Sequence, residues 1–232
     1  MDKVEFDKFA DEYTSVHTAN ISASGESPEY FARYKIDDVA SELARRSIDP
    51  ASILDFGSGI GNSLPHFAAH FPRASVACAD VSGRSLEISK QRFPGITARH
   101  VEIPNSRLPF EDAAFDMAFS ACVFHHIPRD EHVFWLTELH RVTRPGGMLL
   151  IYDHNPLNPL TVRAVRTCSF DANAQLIGAG VLRSRVRAAG WRDASIAFRV
   201  FFPKALAFAR PLERFLRRLP LGAQYFVVAD RK

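Results

Sequence analysis

Long apolar runs are missing from this 232-residue chain: no stretch approaches the roughly 20 apolar residues that a membrane-spanning helix requires. Cysteine is scarce as well. Cys78, Cys122 and Cys168 are odd in number and widely spaced, which excludes a disulfide framework and a zinc site with paired ligands, and points to a reducing, cytoplasmic setting. The first residues carry Asp2, Lys3, Glu5, Asp7, Lys8 and Asp11 around no apolar centre, so no secretory signal is expected. Repeats, low-complexity tracts and Gly/Ser linkers are also absent, and a single domain over 1–232 is expected. What is present, 47% hydrophobic and 24% charged residues, is enough to build one sizeable core and excludes a disordered or collagen-like chain. The net charge of +3 hides an asymmetry, because from Arg183 onward 12 Lys/Arg face 3 Asp/Glu, whereas residues 1–182 carry a net of −6. Such a basic end suits either an anionic partner or a solvated face.

The spacing of Phe31, Tyr34, Ile36, Val39, Ala40 and Leu43 after Ser27 and Pro28 predicts a helix over 28–47. Beyond it, short apolar runs alternate with helix-length segments. The runs are Ser52–Phe56, Ser75–Ala79, Ile96–Val101, Phe115–Ala121, Met148–Tyr152, Ala194–Val200 and Tyr225–Ala229. That alternation predicts an α/β fold with a mostly parallel sheet covered on both faces, and such sheets bind ligands at the carboxyl ends of their strands.

The first of these strands runs into Asp55-Phe56-Gly57-Ser58-Gly59-Ile60-Gly61, where glycines allow a tight turn and close approach of a ligand to the backbone. No Lys-Ser/Thr follows, so a phosphate-cradling Walker loop is excluded, and the glycines fall G-x-G-x-G rather than in the dinucleotide spacing G-x-G-x-x-G. Asp80 ends the second strand about 20 residues on, where a carboxylate accepts hydrogen bonds from the two ribose hydroxyls of a nucleoside. Capping of the next helix, shared with Ser82, is the other role open to it.

The loop Asp55–Gly61, Asp80, the segment Leu108-Pro109-Phe110 with Phe115-Asp116, and Arg141-Val142-Thr143-Arg144-Pro145-Gly146-Gly147 before a strand together resemble, in their order, class I S-adenosylmethionine-dependent methyltransferases of the ubiquinone/menaquinone-biosynthesis-like ("type 11") branch. The resemblance covers about residues 50–155. It implies a Rossmann-like seven-stranded sheet with helices on both faces, whose last strand is antiparallel and inserted beside the sixth, and S-adenosyl-L-methionine as cofactor. Carried over, it gives Asp55 the methionine amino group and places Gly57, Ser58, Gly59 and Gly61 along the methionine moiety. Asp80 takes the ribose hydroxyls and Val81 the adenine face. Glu102 and Ile103 take the adenine edge, although Pro104 disturbs the family's usual spacing there. Ala121 closes the fourth strand beside the cofactor. The lead-in Phe6-Asp7-Lys8-Phe9-Ala10-Asp11-Glu12-Tyr13 is similar to one that closes over the site in this branch, so that Tyr13 and Lys35 are expected to reach cofactor or acceptor.

Methyl transfer is an in-line displacement in which positioning supplies much of the rate and a base is optional. His125, in Ser120-Ala121-Cys122-Val123-Phe124-His125-His126, and His154, in Tyr152-Asp153-His154-Asn155-Pro156, are the two candidate bases; packing or capping is the alternative for each. Cys122 reads as a small hydrophobe. No metal ligation is expected, Asp153 and Asn155 being the nearest approach to a ligand pair. The place after the fourth strand lacks [N/D/S]-P-P-[Y/F], so nucleic-acid amine methylation is disfavoured. The expected reaction is O-methylation of a small or lipid-like hydrophobic acceptor. Residues 201–221 form a basic, aromatic stretch broken by Pro203, Pro211 and Pro220, suited to roofing the acceptor site or to peripheral contact with a membrane. A nicotinamide-dependent oxidoreductase and a non-catalytic cofactor-binding module with a basic partner-binding region are the rival readings.

Overall fold

In a computed structural model of the protein, residue 7 and residues 18–21, 24–104 and 106–232 are described. Seven strands form one sheet: β1 (Ser52–Phe56), β2 (Ser75–Asp80), β3 (Ala98–Glu102), β4 (Phe115–Ala121), β5 (Thr143–His154), β6 (Arg192–Arg199) and β7 (Gln224–Asp230). Their order is β3-β2-β1-β4-β5-β7-β6, with β1 to β5 parallel and β7 antiparallel to both of its neighbours, as the family resemblance implies. The helices are α1 (Pro28–Arg45), α2 (Leu64–His70), α3 (Gly83–Arg92), α4 (His132–Val142), α5 (Pro159–Thr167), α6 (Ala179–Ala188) and the short α7 (Glu213–Leu216).

Side chains alternate across a strand, so a strand covered on both faces must be apolar at consecutive positions. Leu54 and Phe56 accordingly join a cluster with Trp135, Leu139, Leu182 and Trp191 on one face, while Ile53 joins Val39, Leu43, Phe67 and Phe119 on the other. α1 starts where expected: Pro28 occupies its first turn and the Ser27 hydroxyl accepts a hydrogen bond from Tyr30 N at 3.2 Å. β3 begins at Ala98 rather than Ile96, because the Phe93-Pro94-Gly95 turn closes with Ile96 N donating to Phe93 O. β5 is longer than its apolar run and takes in Arg144-Pro145-Gly146-Gly147. In this connection Arg141 donates to the carbonyls of Leu108 and Phe110 at 3.0 and 2.8 Å, and Glu138 accepts from Leu108 N, so two of the ordered motifs form a structural clamp.

Strand order reverses between β1 and β4, which leaves a crevice at their carboxyl ends. One buried ion pair ties the front of the chain to the far end of the sheet. Asp38 of α1 receives Arg199 of β6 through two hydrogen bonds, Nε–Oδ2 at 2.5 Å and Nη2–Oδ1 at 2.6 Å, with the Tyr152 hydroxyl nearby. Removing one partner strands the other in a poorly solvated place. Asp38→Ala is therefore expected to lower unfolding free energy by about 3–5 kcal/mol in urea titration, and the double variant Asp38→Ala/Arg199→Leu by clearly less than the sum of the two single changes.

Candidate functional site

The glycine loop is shaped by two demands, one shared by Gly57 and Gly61 and the other met at Gly59. Gly57 sits at φ +75°, and a Cβ there would meet Val123 at 2.3 Å; Gly61 sits at φ +77°, and a Cβ would meet the Ser89 hydroxyl at 2.2 Å. Packing within the protein alone requires glycine at both. Gly59, at φ +51°, has nothing within 4 Å of such a Cβ, and it faces a cavity of about 360 Å³. A side chain there would fill the space in which a ligand must lie.

Asp80 ends β2 against this loop. Its Oδ2 accepts from Gly59 N at 2.8 Å and its Oδ1 from Ser82 N at 2.9 Å, while the α3 cap is provided by Ser82, whose hydroxyl accepts from Ser85 N. The carboxylate thus fixes the loop and keeps lone pairs for a ligand. Asp55, at the end of β1, is buried, and among the described residues its Oδ2 has no hydrogen-bond partner, as is true of the Ser58 hydroxyl. Burial, reinforced by the charge of Asp80, lifts the Asp55 carboxyl to about 7 against the opposing pull of Lys35. Orphaned acceptors beside a glycine-lined cavity fit a ligand that brings an ammonium and hydroxyl donors.

Of the residues singled out from sequence, Lys35, Asp55, Gly57, Ser58, Gly59 and Asp80 line this one cavity, as do Val81, Ile103, Ala121, His125 and His154. Gly61 and Glu102 do not line it. Glu102 lies against the first turn of α3, where its Oε2 would be 2.7 Å from a Cβ on Gly83. Tyr13 lies outside the described residues. Asp7 accepts from the Ser82 hydroxyl at 2.6 Å, which places this one residue of the lead-in just beyond the end of β2.

The far wall of the cavity is polar in a way the sequence hid. Cys122 follows β4 at φ +60°, a strained conformation for a residue with a side chain. Lys35 Nζ and Gln224 Nε2 approach its sulfur at 3.5 and 3.8 Å. Burial raises the thiol, but Lys35 and His154 outweigh it and bring Cys122 down to about 6. Its sulfur thus meets charged and polar partners as well as apolar ones, and only folding reveals this, since those partners come from α1, β5 and β7. His125 Nδ1 donates to Asp153 Oδ1 at 2.5 Å, both groups being buried. Asp171, on a 3₁₀ turn (Ser169–Asp171), approaches from the other side; no sequence motif marked it. Burial works against charge on His125, yet Asp153, with Asp171 behind it, holds the ring up to about 10.

Residues 53–147 match the family model described as a methyltransferase domain. The core of the chain is thus similar to methyltransferase domains, in keeping with its resemblance to the class I S-adenosylmethionine-dependent branch. Similar proteins include a ubiquinone/menaquinone biosynthesis C-methyltransferase of Hahella chejuensis, 30% identical over 53% of this chain and 51% of that one. A fatty-acid O-methyltransferase of Mycolicibacterium smegmatis is 29% identical over 53% of this chain and 44% of that one. The chain thus spans about half the length of these relatives. Among solved structures, a SAM-dependent methyltransferase from Thermotoga maritima superposes with a TM-score of 0.66 at 17% identity and covers 99% of both chains, which shows a shared fold.

For the methyltransferase domain, S-adenosylmethionine is the cofactor, and the orphaned Asp55 and Ser58 groups fit it. The charge state of Asp55 then sets a pH dependence. Its raised folded-state value means that it adds most to the stability of the ligand-free protein below about pH 4, a contribution lost as pH rises through about 7. Cofactor binding runs the opposite way, because an ammonium needs the ionised carboxylate. S-adenosylhomocysteine should bind roughly tenfold more weakly at pH 6 than at pH 8 by calorimetry, and Asp55→Asn should flatten that profile.

Proposed function

We propose that the protein transfers a methyl group from S-adenosylmethionine to an oxygen of an apolar, lipid-like acceptor. The observation that carries this reading is the continuity of the cavity. It runs from the glycine loop and Asp80 to an apolar wall made by Phe31, Leu160, Val165, Phe201 and Pro203. The bound cofactor supplies a methyl group on a sulfonium that leaves as a neutral thioether. The acceptor oxygen forms the new C–O bond as the C–S bond breaks, and its proton passes to a neighbouring base. His125, beyond the end of β4, and His154, at the end of β5, are the proposed groups near that oxygen; His154 shares its proton with Cys122, whereas His125 Nδ1 is committed to Asp153. Lys35 and Asp55 hold the methionine end, Asp80 the ribose.

The segment after β6 supports an acceptor drawn from a lipid phase. A 3₁₀ stretch (Lys204–Leu212) and α7 follow directly on the cavity-lining Phe201 and Pro203, anchored by Arg210 to Glu26 at 2.5 Å and by Glu213 accepting from Phe201 N at 3.0 Å. Facing outward are Phe208 at 81% exposure and Phe215 at 70%, with Leu212, Leu221 and Leu160 also exposed. Lys204, Arg214 and Arg218 share the segment, so apolar anchors and positive charge occur together, as contact with an anionic bilayer requires. No helix among the described residues is long and apolar enough to cross a membrane, and surface contact fits that.

Vesicles containing phosphatidylglycerol, loaded with a lipid extract and supplied with methyl-labelled S-adenosylmethionine, test this reading. Methyl label should appear in an extractable apolar product identified by mass. Phe208→Ser/Phe215→Ser should abolish co-sedimentation and cut turnover on vesicles about tenfold, while leaving turnover of the same acceptor in detergent unchanged. Equal vesicle binding by wild type and variant would remove the membrane part of the proposal.

A further inference from the structure

The side of the cavity opposite the glycine loop carries a second cluster that cofactor binding does not use. His125 and His126 occupy a 3₁₀ turn (Phe124–His126) after β4, and Asp171 sits on the Ser169–Asp171 turn. Gln175 N donates to the His125 carbonyl at 2.7 Å, which fastens one turn to the other. One ligand atom from each of the three residues lies within 4.8 Å of the others, and all three side chains line the cavity.

The separations decide what the cluster suits. Asp171 Oδ1 is 3.3 Å from His126 Nε2 and 3.7 Å from His125 Nε2. The longer distance is outside hydrogen-bond range. Both match the roughly 3.3–3.7 Å between neighbouring ligand atoms when each lies about 2.0–2.1 Å from one ion at angles near or somewhat above tetrahedral. The tautomer is also fixed. Asp153 Oδ1 takes the Nδ1 proton of His125 at 2.5 Å and accepts His154 N at 2.7 Å, which orients the carboxylate. With Nδ1 committed to Asp153, an ion that displaces the Nε2 proton meets the Nε2 lone pair on the cavity side. A buried carboxylate behind a histidine whose other nitrogen faces a second histidine and an aspartate is the outer-shell arrangement that orients metal-ligating imidazoles.

We propose that His125, His126 and Asp171 bind one divalent first-row transition ion, of the zinc or iron(II) class, with its remaining coordination positions open to the cavity. Two imidazoles and one carboxylate suit these ions better than magnesium or calcium, which prefer all-oxygen sets. This is a departure from the sequence-based expectation of no metal, which had weighed Asp153 and Asn155 as ligands. In the fold Asp153 stands behind the ligand, and Asn155 is spent on the carbonyls of Pro220 and Gly222. The inference rests on the proposed acceptor side of the cavity: an acceptor hydroxyl bound to the ion would lose its proton more readily, which leaves His154 to receive that proton and gives His125 the role of ligand.

Cobalt(II) titration of the full chain at pH 7.5 tests this without any methyl transfer. The visible absorption of four- or five-coordinate cobalt should saturate at one ion per chain, and zinc should displace it. His126→Gln and Asp171→Asn should each weaken cobalt affinity at least tenfold, and Asp153→Asn should do so to a smaller extent. S-adenosylhomocysteine binding, measured in parallel, reports whether each variant is folded. Wild-type protein that binds S-adenosylhomocysteine but gives no cobalt spectrum overturns the metal site and leaves the cofactor site standing. A spectrum unchanged in both His126→Gln and Asp171→Asn overturns it equally, by placing the ion elsewhere.

Discussion

Two carboxylates buried at adjacent strand ends constrain everything around them. Asp55 and Asp80 close β1 and β2 on either side of the glycine loop, and their like charges raise the free energy of the site when both are ionised. Gly59 and Ser82 backbone amides stabilise Asp80, whereas Asp55 has one oxygen without a partner. The arrangement is therefore incomplete in a specific sense: it favours a ligand that carries a cationic group to one carboxylate and hydroxyl donors to the other. The loop must stay glycine-rich for two separate reasons, packing at Gly57 and Gly61 and ligand space at Gly59.

The opposite wall obeys different rules. There the chain tolerates backbone strain at Cys122 and concentrates imidazoles, carboxylates and a lysine that other parts of the fold must hold in place. Those supports are visible. The loop after β5 is tied to the start of β7 by Asn155, Asn158 and Thr161, each bonded to a carbonyl between Pro220 and Ala223. The segment that interrupts the last hairpin is thereby coupled to the strand end that carries His154.

Much of this was legible in the sequence because it rests on local rules. Consecutive apolar residues revealed strands covered on both faces, Ser27-Pro28 revealed a helix start, and the spacing of glycines with one carboxylate two residues before and another about 20 residues beyond pointed to residues that the fold brings to one cavity. What was hidden depends on distant partners. Cys122 gains its character from Lys35 and Gln224, which lie 87 and 102 positions away along the chain. Asp171 approaches His125 and His126 through a turn with no motif of its own. Arg141 and Leu108-Pro109-Phe110 were legible as motifs, but their joint role as a clamp appears only when donors and carbonyls are brought together.

The central claim is that the two carboxylates and the glycine loop hold an adenosyl sulfonium rather than a redox dinucleotide. Calorimetric titration of the purified chain with S-adenosylhomocysteine and with NAD, repeated on Asp80→Ala, addresses it directly. The account predicts one saturable site for the thioether, no measurable heat with NAD, and at least a tenfold loss of thioether affinity in the variant, as expected when buried hydroxyls lose their acceptor. Saturable binding of NAD with none of the thioether, or undiminished thioether affinity in Asp80→Ala, would contradict it.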